Sequence, residues 1–201
     1  MKKLEKSVLK EEMKNLKTIT ERKERKNKKI VDINWILKIT LLAFTLSIVF
    51  SFLCEIALPK VDIVVEILLI FLFIFLGVLF DMIGVAVTSA DIEPFNSMSS
   101  RKVKGAKTAV KLIKKSDKVS SFCNDVIGDI CGIISGSAGT IVSVSLSNTL
   151  SFSPLLTTLI TTACIASLTI GGKALGKSYA VNKNNLILYK FAKLVAHFRK
   201  E

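Results

Sequence analysis

Apolar positions along this chain gather into long uncharged blocks, and the charges stand between them. Residues 130–172 hold no charged side chain, and residues 39–54 and 67–80 are two further uncharged runs. A soluble helix needs an apolar stripe. A helix that is apolar around its whole circumference for this length is what a bilayer core of about 30 Å selects. The pattern predicts an all-α polytopic membrane protein with four transmembrane helices, over about residues 35–58, 61–89, 119–146 and 154–172. Pro59 and Lys60 make a tight turn between the first two, and the uncharged stretch SNTLSFSP supplies turn residues between the last two.

The flanking segments have a different period. In residues 1–32, Leu4, Val8, Leu9, Met13, Leu16 and Ile19 recur at roughly helical spacing among 12 Lys/Arg and 6 Asp/Glu. This predicts a basic N-terminal helix with a thin apolar stripe, lying on the membrane, paired with a partner or simply solvated. In residues 90–118, Val103, Ala106, Val110 and Ile113 repeat at intervals of 3, 4 and 3 among 8 Lys/Arg and 3 acids. That predicts an amphipathic helix in the membrane interface over about residues 98–116. The transmembrane domain then covers residues 33–180, and residues 181–201 form a basic tail.

Composition agrees with this division. Half of the 201 residues are apolar and mean hydropathy is +0.51, yet 22% are charged. Such segregation excludes a soluble enzyme, a disulfide-stapled secreted domain and a disordered chain. The net charge of +13 does not point to nucleic acid, because the 29 Lys/Arg are not scattered. They fall as 12, 8 and 7 into the N-terminal segment, residues 90–118 and the segment after Gly172, leaving only Lys38 and Lys60. By the positive-inside rule all three segments face the cytoplasm, both termini are cytoplasmic, and the anionic inner leaflet of the plasma membrane is the partner. The first apolar run follows about 30 polar residues, unlike a signal peptide. Cys54, Cys123, Cys131 and Cys164 lie in apolar segments without a CxxC pair and read as small buried apolar residues.

The third span carries the candidate chemistry. Gly128, Gly132 and Gly136 repeat at i, i+4, the spacing that lets another helix approach closely, either within this chain or from a second copy. Asp125 and Asp129 have the same spacing, and from a span start near Val119 they lie about 9 Å and about 15 Å deep. A charged group there costs roughly 2.5–3.5 kcal/mol on insertion scales, so a cation, a basic partner, water or a proton must compensate. Asn124 and Ser121 add neutral oxygens, and Asp81 lies in the inner half of the second span. Three carboxylates are thus expected at one depth. Such oxygen-rich sets suit hard cations such as Mg2+, with a water-exposed vestibule or lysine neutralisation as the alternatives. Lys173 follows the last uncharged run, placed either to snorkel to the headgroups or to pair with Asp125 or Asp129. No nucleophile–base pair, HExxH or phosphate loop is present, which argues against an enzyme.

Three stretches resemble the transmembrane domain of the CorB/CorC/CNNM magnesium transporter family. FDMIGVAVTSAD is similar to that family's FxxxExALxS, KGAKTAVKLIKKSDKVSS to its GAxxAxxLxxxPDxxLS, and GKALGKSYA to its GExxPKSxA. The likeness spans about 120 residues in order and spacing. It implies a Mg2+ site built from serine, asparagine and acidic oxygens, with Ser89 and Asp129 at approximately matching positions, and a homodimer. The family's GNN is similar here only to Gly128, Asp129 and Ile130. Two family acids fall at Gly84 and Lys173, and its proline at Gly176. Replacing an acid by an ammonium reverses the local charge logic. The family's cytosolic CBS-pair domain has no counterpart in these 201 residues, and the first span is an addition.

Two functions therefore stand as expectations. One is divalent-cation (Mg2+-type) transport or binding through Asp81, Ser89, Asn124, Asp125 and Asp129. The other is a non-transporting membrane interaction module in which Lys173 occupies the former cation site.

Overall fold

The computed structural model describes residues 33–58, 61–150 and 153–198, with only the backbone at Leu150. The N-terminal helix expected over residues 1–32, the Pro59–Lys60 turn, residues 151–152 of the linker and the end of the tail lie outside the described residues. The chain divides into two units, Met1–Thr40 and Leu41–Glu201. The described part of the first unit is the opening of α1, and the helical bundle belongs to the second.

Helix α1 (Ile33–Ala57) buries none of its residues, and Leu41, Phe44, Ile48 and Phe52 along it are exposed. An apolar helix with no buried face has lipid as its natural solvent. Its end is anchored, since Cys54 and the following Leu58 pack into the core of the bundle.

Helix α2 (Ile63–Ser89) is the centre of that bundle. Glu66, Ile70, Ile74, Gly77, Asp81, Gly84 and Val87 fall at intervals of 3 or 4 and are all buried, so they form one helical face. Val64, Leu68, Phe71 and Phe75 point away and are exposed. After α2 the chain forms three short helices, α3 (Ile92–Ser100), α4 (Ala106–Ile113) and α5 (Ser116–Ser121). Helix α5 runs on through a π-helical stretch, Phe122–Gly128, into α6 (Asp129–Leu150). Pro154 opens α7 (Pro154–Asn182), where its missing N–H costs nothing. Helix α8 (Asn184–Phe198) closes the described chain.

Helices α6 and α7 pack on the buried face of α2 and on each other. Ile70, Ile74, Ala138, Val142 and Ile165 interlock there with Leu58. A second core at the other end joins Val87 of α2, Phe95 of α3, Ala109 of α4, and Leu188 and Ala192 of α8. Among the described residues this second end carries nearly all of the lysines, and it is the basic end of the bundle.

Four helical runs are long and apolar enough to cross a membrane: Ile33–Ala57, Ile63–Ser89, Ser116–Thr149 and Pro154–Asn182. The described residues contain no strand. The chain is an all-α polytopic membrane protein, and the four expected spans each fall within one of these runs to within two residues.

Three boundaries differ from those expected. The fourth helix does not stop at Gly172 but continues ten residues to Asn182, because hydropathy ends there while helix propensity does not. The single interface helix expected over residues 98–116 is broken between α3 and α4. Lys102 (φ 57°) and Gly105 (φ 87°) are left-handed there, a conformation that ends a helix. Glycine is required at 105 twice over, since a Cβ would stand 3.0 Å from the Lys193 Cα. The basic tail expected over residues 181–201 is, through Phe198, a packed helix, in which Leu188, Ala192 and Ala196 are buried at i, i+4 spacing. That stripe was hidden among lysines.

Candidate functional site

The site is set by how α7 approaches α2. Gly172 and Gly176 face that helix. A Cβ on Gly172 would stand 2.9 Å from Val78, and one on Gly176 would stand 2.8 Å from Met82 and 3.1 Å from Val78. Each glycine is followed by a lysine, which projects about 100° farther round the helix. From these two positions the lysines reach two carboxylates. Lys173 Nζ donates to Asp129 Oδ1 at 3.2 Å. Lys177 Nζ lies 3.5 Å from Asp81 Oδ2.

The two pairs differ in environment. The Asp129 side chain is 66% exposed and Lys173 21%. The Asp81 side chain is 4% exposed while Lys177 remains half open. Asp81 Oδ2 also lacks any hydrogen-bond partner, so its contact with Lys177 is an ion pair at the limit of direct contact. A buried carboxylate oxygen in that state is under-satisfied.

Asn124 supplies the other orphan. It stands in the π-helical stretch, where its Nδ2 donates to Ser120 Oγ at 3.3 Å and its Oδ1 is buried with no partner. The amide is seated directly on Gly84 of α2, and any Cβ there would overlap Oδ1. Gly84 lies one turn from Asp81 on the same buried face. The π-helical backbone widens the helix and re-aims its side chains, and such stretches are frequent at functional sites.

The remaining expected residues are placed elsewhere. Asp125 is exposed and joins neither pair. Ser89, at the end of α2, belongs to the junction with α8, where its carbonyl accepts from Asn184 Nδ2 at 2.6 Å. The expected convergence of Asp81, Asp125 and Asp129 is not found. Among the described residues no three His, Cys, Asp or Glu side chains come together in a way that could hold a metal ion. The reason is geometric: Asp81 faces the interior from α2, whereas Asp125 and Asp129 lie on an exposed side of the third span.

Of the expected glycine face, only Gly128 meets another helix of this chain. Gly128 packs tightly against Gly77, where a Cβ would stand 3.4 Å from the Gly128 carbonyl and 3.2 Å from Cys131 Cβ. Gly132 and Gly136 have nothing within 4 Å of a Cβ. Farther along, the close approach is made by Gly139 against Ile165. Of the cysteines, Cys123 and Cys131 are buried, Cys54 is half-buried and Cys164 is exposed. Sequence reasoning missed Lys177, the Gly172/Gly176 contact and the buried Glu66. The first two stood in plain view as GKALGK, a small-xxx-small pair with a lysine after each glycine. No family model, curated protein or solved structure matches the chain.

Proposed function

We propose that this chain is a divergent CorB-like integral membrane protein that binds or carries a hard divalent cation of the Mg2+ type at the basic end of its bundle. Lys177 and Lys173 hold the cation's place when it is absent. The observation that carries this is the pair of buried oxygens, Asp81 Oδ2 and Asn124 Oδ1, which lack hydrogen-bond partners on neighbouring turns of the same contact. Oxygen atoms of that kind are what a hard cation takes, together with water. An ammonium at 3.5 Å from the carboxylate neutralises its charge without satisfying its lone pairs, so a cation that displaces it gains contacts the lysine does not make. The resemblance of the three sequence stretches supports the same reading.

The rival is a non-transporting interaction module in which the lysines lock the site. It is favoured by the absence, among the described residues, of three converging acidic, His or Cys ligands. Positive-inside arithmetic places both termini and the basic end in the cytoplasm, against an anionic leaflet of the plasma membrane. The open Gly132–Gly136 face of α6 is where a second copy of the chain seats.

Mg2+ entry into proteoliposomes holding the full chain and an internal Mg2+-sensitive dye separates the two. The cation reading expects entry that Asp81→Asn abolishes. No entry with wild-type protein, together with no Mg2+ binding in detergent, supports the locked module.

A further inference from the structure

Glu66 belongs to neither lysine pair. It lies on the buried face of α2, at the end of the bundle opposite the basic end, and is 2% exposed. Its Oε2 has no hydrogen-bond partner. The register of the bundle gives its surroundings. Ile70, one turn along α2, packs with Ala138, Val142 and Ile165, and Gly139 faces Ile165 and Thr161. Antiparallel α6 and parallel α7 therefore bring Glu66 level with Ser143 and with the turn from Thr158 to Thr161.

Of those hydroxyls, buried Ser143 and half-buried Thr158 are already committed, and half-buried Thr161 makes no hydrogen bond to Glu66. Ser143 Oγ donates to the Thr140 carbonyl at 2.7 Å and shares a 3.0 Å hydrogen bond with Thr158 Oγ1. With the Ser143 hydrogen spent on the backbone, Thr158 is the donor in that bond. Thr157 donates to the Ser153 carbonyl at 3.1 Å. None of the Ser143, Thr157 and Thr158 hydroxyls has a hydrogen left for a carboxylate.

Counter-charge is equally scarce. Helix α6 carries no charged residue after Asp129, and α7 none before Lys173. The titratable groups on the packed elements at this end are Cys54, half-buried at the end of α1, exposed Glu55 and Asp62, and exposed Cys164. All are neutral or acidic. Lys60 lies outside the described residues. Among the described residues no donor or cation meets Glu66 Oε2; an ionised carboxylate in that state is among the most expensive groups to bury, whereas a carboxylic acid needs only one acceptor.

We propose that Glu66 is a proton-binding site in the half of the bundle opposite the lysine pairs. It is protonated in this packing and exchanges its proton when α2, α6 and α7 separate at that end. A metal ion is a poorer occupant, because one carboxylate among hydroxyls falls short of the six or more oxygens that hard cations collect. The inference does not rest on the cation reading of the basic end.

A hydrophobic carbodiimide tests it, because such reagents form a stable adduct with a protonated carboxyl in apolar surroundings. The full chain in liposomes is treated at neutral pH with dicyclohexylcarbodiimide and the adduct located by mass spectrometry. The proposal expects labelling at Glu66, none at that position in Glu66→Gln, and a decline as pH is raised. Absence of labelling at Glu66, with adducts on detergent-denatured protein, overturns it. Labelling that Na+ suppresses at fixed pH overturns it in favour of a metal-ion site. Labelling that appears only in Lys60→Gln overturns it by showing Glu66 held ionised by that lysine. Glu66→Gln keeps the side-chain shape, so its thermal transition is expected to match wild type, which keeps loss of label from being loss of fold.

Discussion

The ammonium of Lys177 stands 3.5 Å from an Asp81 oxygen that solvent does not reach and no hydrogen-bond donor satisfies. A buried charge is tolerated when it is paired, and removing one partner costs more than removing both. Lys177→Ala is expected to destabilise the chain by about 2 kcal/mol, below the range for fully buried pairs because Lys177 is half open. Asp81→Asn with Lys177→Ala is expected to recover most of that loss. A double-mutant cycle on thermal unfolding in detergent checks this, and additive costs mean the two groups do not meet in the working protein.

The same cycle on Asp129 and Lys173 is expected to give a smaller coupling, about 0.5–1 kcal/mol, because the Asp129 side chain is 66% exposed. A coupling at Asp129 larger than at Asp81 would mean that lipid rather than water covers that side of the helix.

Gly84 should not tolerate a side chain, because the Asn124 amide occupies the place of its Cβ. Gly84→Ala is expected to cost about 1–3 kcal/mol, the usual range for overpacking. Adding Asn124→Ala should return most of it. If Gly84→Ala alone leaves the unfolding temperature unchanged, Asn124 does not sit on α2 as described.

The glycines of α6 and α7 should divide by role. Gly176→Val is expected to disturb the fold, since even a Cβ meets Met82 at 2.8 Å. Gly132→Val is expected to leave it intact, because nothing lies within 4 Å. If a second copy covers that face, Gly132→Val weakens the dimer instead, read as a shift in mass by light scattering in detergent. Equal loss of fold for both variants contradicts the packing.

Both termini should report the same side of the membrane in reporter fusions, the cytoplasmic side, given how the lysines segregate. Opposite sides mean an odd number of crossings.

Much of this was legible in the sequence because charge and hydropathy are segregated so completely. The four spans follow from that alone; for Lys173 the sequence left snorkelling and pairing with Asp125 or Asp129 open, and the structure gives the contact with Asp129. Lys177 was not legible as a partner for Asp81. The hydropathy signal ends at Gly172, and nothing in it says that α7 stays helical to Asn182. Within this chain the glycine face is only partly covered, for a reason of helical geometry. Steps of four drift by about 40° each, so Gly132 and Gly136 turn progressively away from the direction of Gly128. Gly139, eleven residues on, returns to within about 20° of it. The buried positions, Gly128, Cys131, Ser135, Ala138 and Val142, follow that second track. Spacing gave the stripe, and only the rotation of α6 against α2 decides which part of it is covered. Glu66 fell at the same spacing as Ile70, Ile74 and Gly77, a sign that it faces inward, but the long apolar run that begins beside it masked that sign.

Mg2+ titration of the full chain in detergent, comparing wild type with Lys177→Gln by calorimetry, bears most directly on whether a lysine holds a cation's place. Neutralising the ammonium while keeping Asp81 and Asn124 should tighten Mg2+ binding several-fold. The same affinity in both proteins, or no binding in either, contradicts the account.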